Sequence, residues 1–332
     1  MFLKLFKSTG PGVILFIIIT FVILWISAFI DPKEAGLHIY TLKPMPLYNI
    51  IKFIVGSNPL SGVFFSFAVL SILLLQLVNF NTSVFFINER TFLPAFIYVL
   101  FSALFPQQQV FNPVLPATVF LMLALKRILD SYRKHMAASN FFDAALLISI
   151  GSLFYANIIW FGLLVFVGIA LLRTLNIYEV SISLLGLATP YILILGLYYV
   201  LEKDLGIFLD VIKENLFIDD SPDYLFTRLT IIVLIYSGIM VTVSGGYLIR
   251  QMNSKKIKSR KTFYLLLWVF VISVAMYLFL PSVNLDVVWL MAIPLSYLLT
   301  NYFVFIKKKI IPEIIFSGFC LLIILVQVLY IY

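Results

Sequence analysis

The chain has 332 residues, of which 63% are hydrophobic and 11% are charged. This composition excludes a soluble globular protein, in which about a quarter of the residues are charged. The net charge is +8, but most of the 23 Lys and Arg residues lie at the ends of apolar runs, where they orient membrane proteins. The sequence therefore predicts a membrane protein that contacts lipids and has no nucleic-acid partner.

Apolar runs of helical length recur along the whole chain. An α-helix needs about 20 residues to cross a hydrocarbon core about 30 Å thick, and these runs lack the alternation that is typical of β-strands. They predict an all-α, polytopic transmembrane bundle of one domain, residues 1–332. Its eleven predicted spans cover residues 11–30, 60–79, 91–105, 113–127, 142–156, 158–174, 180–201, 227–249, 262–280, 286–304 and 310–330.

The distribution of basic residues predicts the orientation of these spans. With the N-terminus in the cytoplasm, most Lys and Arg residues lie on the cytoplasmic side, and the C-terminus lies outside. The basic run 250–261 then faces anionic lipid, or alternatively binds a cytoplasmic partner. No small-residue cleavage pattern follows the first span, so we expect an uncleaved anchor. The expected location is the inner membrane of a bacterium, as a multi-pass protein.

The first predicted outer loop, residues 31–59, begins with an acid. In the stretch DPKE, Asp31 and Glu34 have the spacing of a helix N-terminus with a capping box, so one interpretation of Asp31 is a structural cap. Asn-Pro or Ser-Pro pairs at residues 58, 112 and 221 open later spans in the same way. The stretch LYNIIKFIVG further along the loop predicts an amphipathic helix that lies in the membrane interface.

The second long outer loop, residues 202–226, contains the stretch KDLGIFLDVIKENLF. Helical spacing places its apolar residues on one face and its charged residues on the other, which predicts a second interfacial helix. The apolar face consists of Leu205, Phe208, Leu209, Ile212 and Leu216. Any chemistry on the outer side must therefore use these two loops and the adjoining helix ends.

The absence of certain reactive and charged residues disfavours several classes of function. No Asp, Glu, Lys, Arg or His falls in the middle of a span, as ion-coupled transport would require. The single cysteine, Cys320, permits no intrachain disulfide and no CxxC motif. The two histidines, His38 and His135, do not have metal-binding spacing. We therefore expect neither a metal site nor a cofactor.

The order of spans and loops resembles that of GT-C-type glycosyltransferases, which use polyprenyl-phosphate-linked sugars. In that superfamily an acid in the first outer loop acts as the base, and seven shared helices precede a second functional outer loop. Here seven predicted spans precede residues 202–226, and residues 114–173 are similar in texture to the middle helices of that family. The resemblance covers about residues 1–230 and leaves 231–332 as additional C-terminal helices.

Two departures from the family pattern concern its acids. Asp31 is followed by Pro32 and Lys33 rather than by a second acid, and the loop FPQQQVFNP between the third and fourth spans carries no acid. The second acidic motif of many such enzymes is therefore missing, so metal-dependent catalysis is not implied. The chain also resembles bacterial polytopic inner-membrane proteins of similar length, a resemblance that implies no activity.

The resemblance implies an inverting transferase in which Asp31 is the general base, with Glu34 in reserve. The departing lipid phosphate needs cations, and the candidates are Lys52, Lys203 and Arg228. Candidates for hydrogen bonds to the sugar are Asn157 and Gln108, whose other interpretation is that they satisfy the turns they occupy. The aromatic residues expected to line a groove for the polyprenyl chain, or otherwise an interfacial belt, are Phe154, Tyr155, Trp160, Tyr198 and Tyr199.

Two further hypotheses remain open at this stage. The protein is alternatively a non-catalytic structural or accessory subunit, with a protein partner in an inner-membrane complex. It is alternatively a lipid or polyprenol carrier, which would tolerate the loss of the Asp31 carboxylate. The sequence therefore leaves open whether the protein is an enzyme, and favours a glycosyltransferase only through the resemblance.

Overall fold

The computed structural model describes residues 10–33, 39–134, 136–173, 176–218, 228–306 and 310–331, and this part of the chain is helical with no β-strand. Four short 3-10 turns lie at residues 106–108, 156–161, 252–254 and 285–287. The α-helices are α1 (Pro11–Ile30), α2 (Ile39–Leu42), α3 (Pro46–Val55), α4 (Pro59–Val84), α5 (Leu93–Ser102), α6 (Val114–Asp130), α7 (Ala138–Ser152), α8 (Gly162–Leu172), α9 (Ile177–Val200), α10 (Leu205–Phe217), α11 (Arg228–Gln251), α12 (Ile257–Phe279), α13 (Val288–Phe305) and α14 (Ile310–Ile331).

Seven helical segments of the described chain are long and apolar enough to cross a membrane, which makes this a multi-pass helical membrane protein. They contain α1, α4, α9, α11, α12, α13 and α14. The sequence predicted spans at these seven places and at four others. In the four others the structure has the shorter helices α5, α6, α7 and α8, of 10, 17, 15 and 11 residues.

Short helices and irregular segments lie inside the bundle. All ten residues of α5 are buried, and so are most residues of α13. The hydroxyl of Tyr98 on α5 donates to the carbonyl of Trp289 on α13 at 2.9 Å, and the hydroxyl of Tyr297 on α13 donates to the carbonyl of Leu77 on α4 at 2.7 Å. A non-helical backbone is tolerated at membrane depth only where protein covers it. The burial of α5 and α13 is therefore what permits the breaks beside them.

Two predicted helix starts are confirmed. The side chain of Asn58 accepts a hydrogen bond from the N–H of Leu60 at 3.0 Å, and that of Asn112 accepts one from the N–H of Val114 at 3.1 Å. The predicted start at residue 221 lies outside the described residues.

The predicted capping role of Asp31 is wrong. Its backbone N–H donates to the carbonyl of Ser27 at 3.0 Å, so Asp31 ends α1. Pro32 and Lys33, which would form the first turn of a capped helix, are not helical. The carboxylate of Asp31 is therefore not used as the cap of a helix that begins at Pro32.

The tightest helix pair consists of α7 and α9. The hydroxyl of Ser149 donates to the carbonyl of Leu187 at 2.7 Å, and the hydroxyls of Ser152 and Tyr191 lie 2.6 Å apart. At Gly186 the backbones approach so closely that a Cβ atom would lie 2.7 Å from the carbonyl oxygen of Phe142. Small residues allow this approach, which drives helix association in lipid.

We expect Gly186→Ala to destabilise the protein by about 1–3 kcal/mol, because the added methyl meets backbone that cannot move aside cheaply. The matched control is Gly196→Ala on the same helix, where a Cβ atom would have no neighbour within 4 Å. The measurement is the midpoint of thermal unfolding of both variants in the same detergent. Equal midpoints would contradict the close approach of α7 and α9.

Candidate functional site

Asp31 lies at the protein surface, directly after α1. Its side chain is 75% exposed, and one carboxylate oxygen lies 3.5 Å from the Nζ atom of Lys33. The same ammonium group donates to the hydroxyl of Tyr330 at 3.0 Å and lies 4.4 Å from the centre of its ring. The hydrogen bond to Tyr330 raises the pKa of Lys33, and Asp31 raises it further. Lys33 therefore keeps its positive charge beside the Asp31 carboxylate.

Lys33 and Lys52 line one pocket of about 190 Å³ at this surface, which we call the Lys33–Lys52 pocket. The Nζ atom of Lys52 donates to the carbonyl of Thr41 at 3.2 Å. The other lining residues are Thr41, Tyr48, Val55, Gly56, Ser57, Asn58, Pro59, Gly62 and Phe111. The lining is more apolar than polar, and its two lysines are the groups that would attract an anion.

Glycine shapes the Lys33–Lys52 pocket at two positions. Gly56 ends α3 with φ +79°, a backbone conformation that residues with a side chain rarely adopt. Gly62 lies against Phe111, whose Cβ would be 2.7 Å from an added Cβ. The sharp turn after α3 therefore depends on Gly56, and the close packing of α4 against Phe111 depends on Gly62.

Helices are present over both stretches predicted to be interfacial, as α3 and α10, and the loops that carry them contact each other. Lys43 forms an ion pair with Glu214, and the side-chain amide of Asn215 donates to the carbonyl of Lys43 at 2.9 Å. Phe208 of α10 is buried in a small apolar cluster with Met45, Leu153 and Ala156. The first and second loops therefore form one connected surface, which we call the loop surface.

Only part of the predicted apolar face of α10 packs against protein. Phe208 is buried, while Ile212 and Leu216 pack against the same cluster. Leu205 and Leu209 are exposed. These two side chains remain available for contact with the membrane interface, as predicted for an interfacial helix.

Asn157 is buried below the loop surface. Its side-chain amide donates to the carbonyl of Asn215 at 3.2 Å and to the hydroxyl of Ser282 at 3.2 Å. The hydroxyl of Ser282 in turn donates to the carbonyl of Leu216 at 2.9 Å. Asn157 therefore joins a 3-10 turn to α10 and to the α12–α13 connection. These hydrogen bonds match the interpretation in which the Asn157 amide satisfies polar groups around the turn it occupies.

The other predicted site residues lie apart from the Lys33–Lys52 pocket. Gln108 is buried in its 3-10 turn, while Arg228 is exposed at the start of α11. Lys203 is exposed, with its Nζ atom 5.7 Å from the ring centre of Tyr198. None of these three lines the pocket. Glu34, the reserve base, lies outside the described residues.

The five aromatic residues predicted to line a lipid groove differ in exposure, and Trp160 is half-buried. Phe154 and Tyr155 are buried, Tyr198 packs on Phe208 with ring centres 5.5 Å apart, and Tyr199 is exposed. An apolar groove of about 590 Å³ lies elsewhere, between α1, α4 and α5. Its lining includes Ile14, Ile17, Phe21, Phe67, Leu74 and Val78. The sequence analysis missed it because a groove depends on how the helices pack.

A buried acid that the sequence analysis did not select lies below the first loop. Asp286 is 1% exposed, and one of its carboxylate oxygens accepts a hydrogen bond from the hydroxyl of Tyr40 at 2.9 Å. Burial raises the pKa of Tyr48 on α3, and the nearby Asp286 carboxylate adds to the rise. The signal in the sequence is that Asp286 is the sole acid between Asp223 and Glu313.

Within the described ranges, no group of three or more His, Cys, Asp and Glu side chains is placed to hold a metal ion. In comparisons with known proteins, residues 44–332 match a family model described as a family of unknown function, DUF6427. The matched region contains Lys52, Asn157, Lys203 and Arg228 and begins after Asp31. No curated protein and no solved structure matches the chain.

We expect Asn157→Leu to destabilise the protein by about 1–3 kcal/mol, because it leaves buried polar partners on α10 and at Ser282 without their hydrogen bonds. Gln107→Leu, in a neighbouring loop where the side chain is exposed, is the control and should change stability by less than about 0.5 kcal/mol. Thermal unfolding in detergent measures both. A variant at Asn157 with unchanged stability would favour the alternative role in substrate binding.

Proposed function

The chain belongs to the DUF6427 family, and we propose that it is a membrane-embedded transferase that binds a polyprenyl-phosphate-linked sugar at the Lys33–Lys52 pocket. In this proposal the protein resides in the inner membrane of a bacterium, and the pocket faces outward. The observation that carries the proposal is the placement of an exposed carboxylate, Asp31, beside a pocket with two ammonium groups. A base next to a phosphate-binding pocket is the arrangement that sugar transfer from a lipid phosphate requires.

The proposed step uses Asp31 as the general base. The hydroxyl oxygen of the acceptor forms a bond to the anomeric carbon of the sugar while the bond from that carbon to the phosphate oxygen breaks. The hydroxyl proton passes to the Asp31 carboxylate, and the electron pair of the broken bond leaves with the polyprenyl phosphate. Attack from the side opposite the phosphate inverts the anomeric centre. Asp31 suits this role because its carboxylate is accessible.

The two lysines of the pocket stabilise the departing phosphate in this proposal. Negative charge grows on the phosphate in the transition state, and a fixed cation lowers the energy of that state. Lys33 and Lys52 approach the pocket from different segments, so they can contact different phosphate oxygens. Lys203 and Arg228 remain further candidates for contacts outside the pocket, with the acceptor or with lipid.

The proposed topology has eleven crossings with the N-terminus in the cytoplasm and the C-terminus outside. The distribution of Lys and Arg supports this orientation. α5, with 10 residues, is about 15 Å long, which is half of a hydrocarbon core. It crosses only together with the buried segments that flank it, which include Phe86, Ile87 and Leu104.

A second candidate function is a lipid carrier, favoured by the apolar groove between α1, α4 and α5. A volume of about 590 Å³ fits part of an acyl or polyprenyl chain rather than a whole lipid. In the transferase proposal the same groove holds part of the substrate chain. The two candidates differ in whether Asp31 is needed.

We expect Lys33→Gln and Lys52→Gln each to weaken the binding of polyprenyl phosphate by about tenfold, or roughly 1.4 kcal/mol. The control is Lys213→Gln, which removes an exposed lysine of α10 that does not line the pocket. Native mass spectrometry of the detergent-purified protein, with graded polyprenyl phosphate, gives the affinities. Equal binding by all three variants and the wild type would contradict the proposal that the Lys33–Lys52 pocket binds the phosphate.

We expect Asp31→Asn to leave this binding within about threefold but to lower sugar transfer at least a hundredfold, because general-base catalysis contributes about 10²–10⁴. Asp210→Asn, which alters an exposed acid of α10, is the control. The measurement is release of polyprenyl phosphate from polyprenyl-phosphate sugar in proteoliposomes. Full activity of the Asp31 variant would overturn its role as the base, and would favour the carrier if lipid movement between leaflets persisted.

A further inference from the structure

Four basic residues from three separate helix connections converge at the opposite end of the bundle from the loop surface. Arg133 and Lys134 lie in the α6–α7 connection, Arg173 ends α8, and Lys261 is in the first turns of α12. A guanidinium nitrogen of Arg173 donates to the carbonyl of Lys134 at 3.0 Å, which joins two of the three connections. We call these four residues the basic cluster.

Two cations of the basic cluster share one aromatic ring. The guanidinium carbon of Arg133 lies 5.4 Å from the ring centre of Tyr132, and the Nζ atom of Lys261 lies 5.5 Å from the same point. Each contact is favourable by itself, since the face of the ring attracts a cation. Both cations therefore contact one aromatic side chain and carry the same sign of charge, so an anion bound beside the ring would be attracted to both.

The backbone at Arg133 reinforces this arrangement. Its φ of +60° lies in the left-handed region, which a long side chain rarely occupies. Such a conformation is strained and persists where the surrounding structure fixes it. The Nζ atom of the next residue, Lys134, donates to the side-chain oxygen of Asn140 at 3.0 Å.

In the described part of the chain, one of the four cations of the basic cluster is paired with a carboxylate. Glu179, which is buried, accepts from Arg173 at 3.1 Å, and Asp143 lies 3.8 Å from Arg127. Within the described part of the chain, neither Arg133, Lys134 nor Lys261 forms an ion pair. Three of its four cations are therefore not neutralised by a carboxylate, and Lys134 and Lys261 contact amide and carbonyl oxygens instead.

We propose that the basic cluster binds the phosphate headgroup of an anionic phospholipid, with Arg133 and Lys261 as the principal contacts. A phosphodiester group has two non-bridging oxygens, so it can accept from the guanidinium group of Arg133 and from the ammonium group of Lys261 at the same time. This site is separate from the Lys33–Lys52 pocket and does not depend on the proposed transferase function.

The position of the basic cluster favours a lipid over a soluble phosphate compound. Lys261 lies near one end of α12, a candidate membrane span, so its ammonium group is placed where headgroups of that leaflet lie. Tyr132 is half-buried, with the mixed polar and apolar character of aromatic residues at membrane interfaces. A bound lipid would extend its acyl chains along the exposed apolar side chains of the span, such as Trp268.

The test compares two double variants that remove the same charge. Arg133→Gln/Lys261→Gln removes the proposed contacts, whereas Lys256→Gln/Lys258→Gln removes two exposed lysines at the start of the same helix. Native mass spectrometry of the purified full chain is titrated with dioleoyl-phosphatidylglycerol and with dioleoyl-phosphatidylcholine. We expect the first variant to bind phosphatidylglycerol at least tenfold more weakly than the wild type, and the control to change by less than twofold.

A charge-conserving variant, thermal unfolding and competition by inorganic phosphate complete the test. Lys261→Arg, which keeps the charge, should retain binding within about threefold, and thermal unfolding of each variant shows whether it is folded. Equal losses in the two double variants, or no preference of the wild type for phosphatidylglycerol over phosphatidylcholine, would overturn the proposal. Displacement of the lipid by inorganic phosphate at millimolar concentration would also overturn the choice of a lipid and assign the cluster to a soluble phosphate compound.

Discussion

The architecture depends on one constraint, which is that every backbone polar group inside the membrane must find a partner within the protein. This chain interrupts its helices often, and buried amide side chains satisfy the carbonyl groups at the interruptions. Gln327 donates to the carbonyl of Ala103, directly after α5, at 2.9 Å, and Gln109 in the segment that follows donates to the carbonyl of Leu24 within α1 at 3.1 Å. Asn81 donates to the carbonyl of Glu89 at 3.0 Å. Short helices such as α5 can then lie in the interior, while the long helices α9 and α11 are mostly exposed.

The same constraint explains how much of the fold could be predicted from the sequence. The long spans and the caps at Asn58 and Asn112 follow from local patterns, and they are present in the structure. The candidate site was less predictable, because its contacts join distant positions. Tyr40 and Asp286 are 246 residues apart, and the sequence around either residue does not predict the hydrogen bond between them. Asp31 also had a local pattern for a helix cap, but the structure ends α1 there instead.

The two ends of the bundle hold their charges in different ways. At the loop surface, acids and bases alternate, and the ion pair of Lys43 with Glu214 joins the two loops. At the basic cluster, cations from three connections meet with few acids, and two of them contact the same aromatic ring. An alternating surface can order a substrate that has both polar groups and a charge. A surface of one sign is suited to holding an anion without transforming it.

Accessibility decides between the two carboxylates that lie near the first loop. Asp286 is buried and accepts from the Tyr40 hydroxyl, so a substrate could reach it only after the first loop moved away. Asp286 therefore acts on the loop, since its hydrogen bond anchors Tyr40 and its charge lies near Tyr48, a residue that lines the Lys33–Lys52 pocket. Asp31 is open to a substrate, and Lys33 holds a positive charge beside it. A base must reach the proton it removes, and of the two carboxylates Asp31 meets that requirement in the structure.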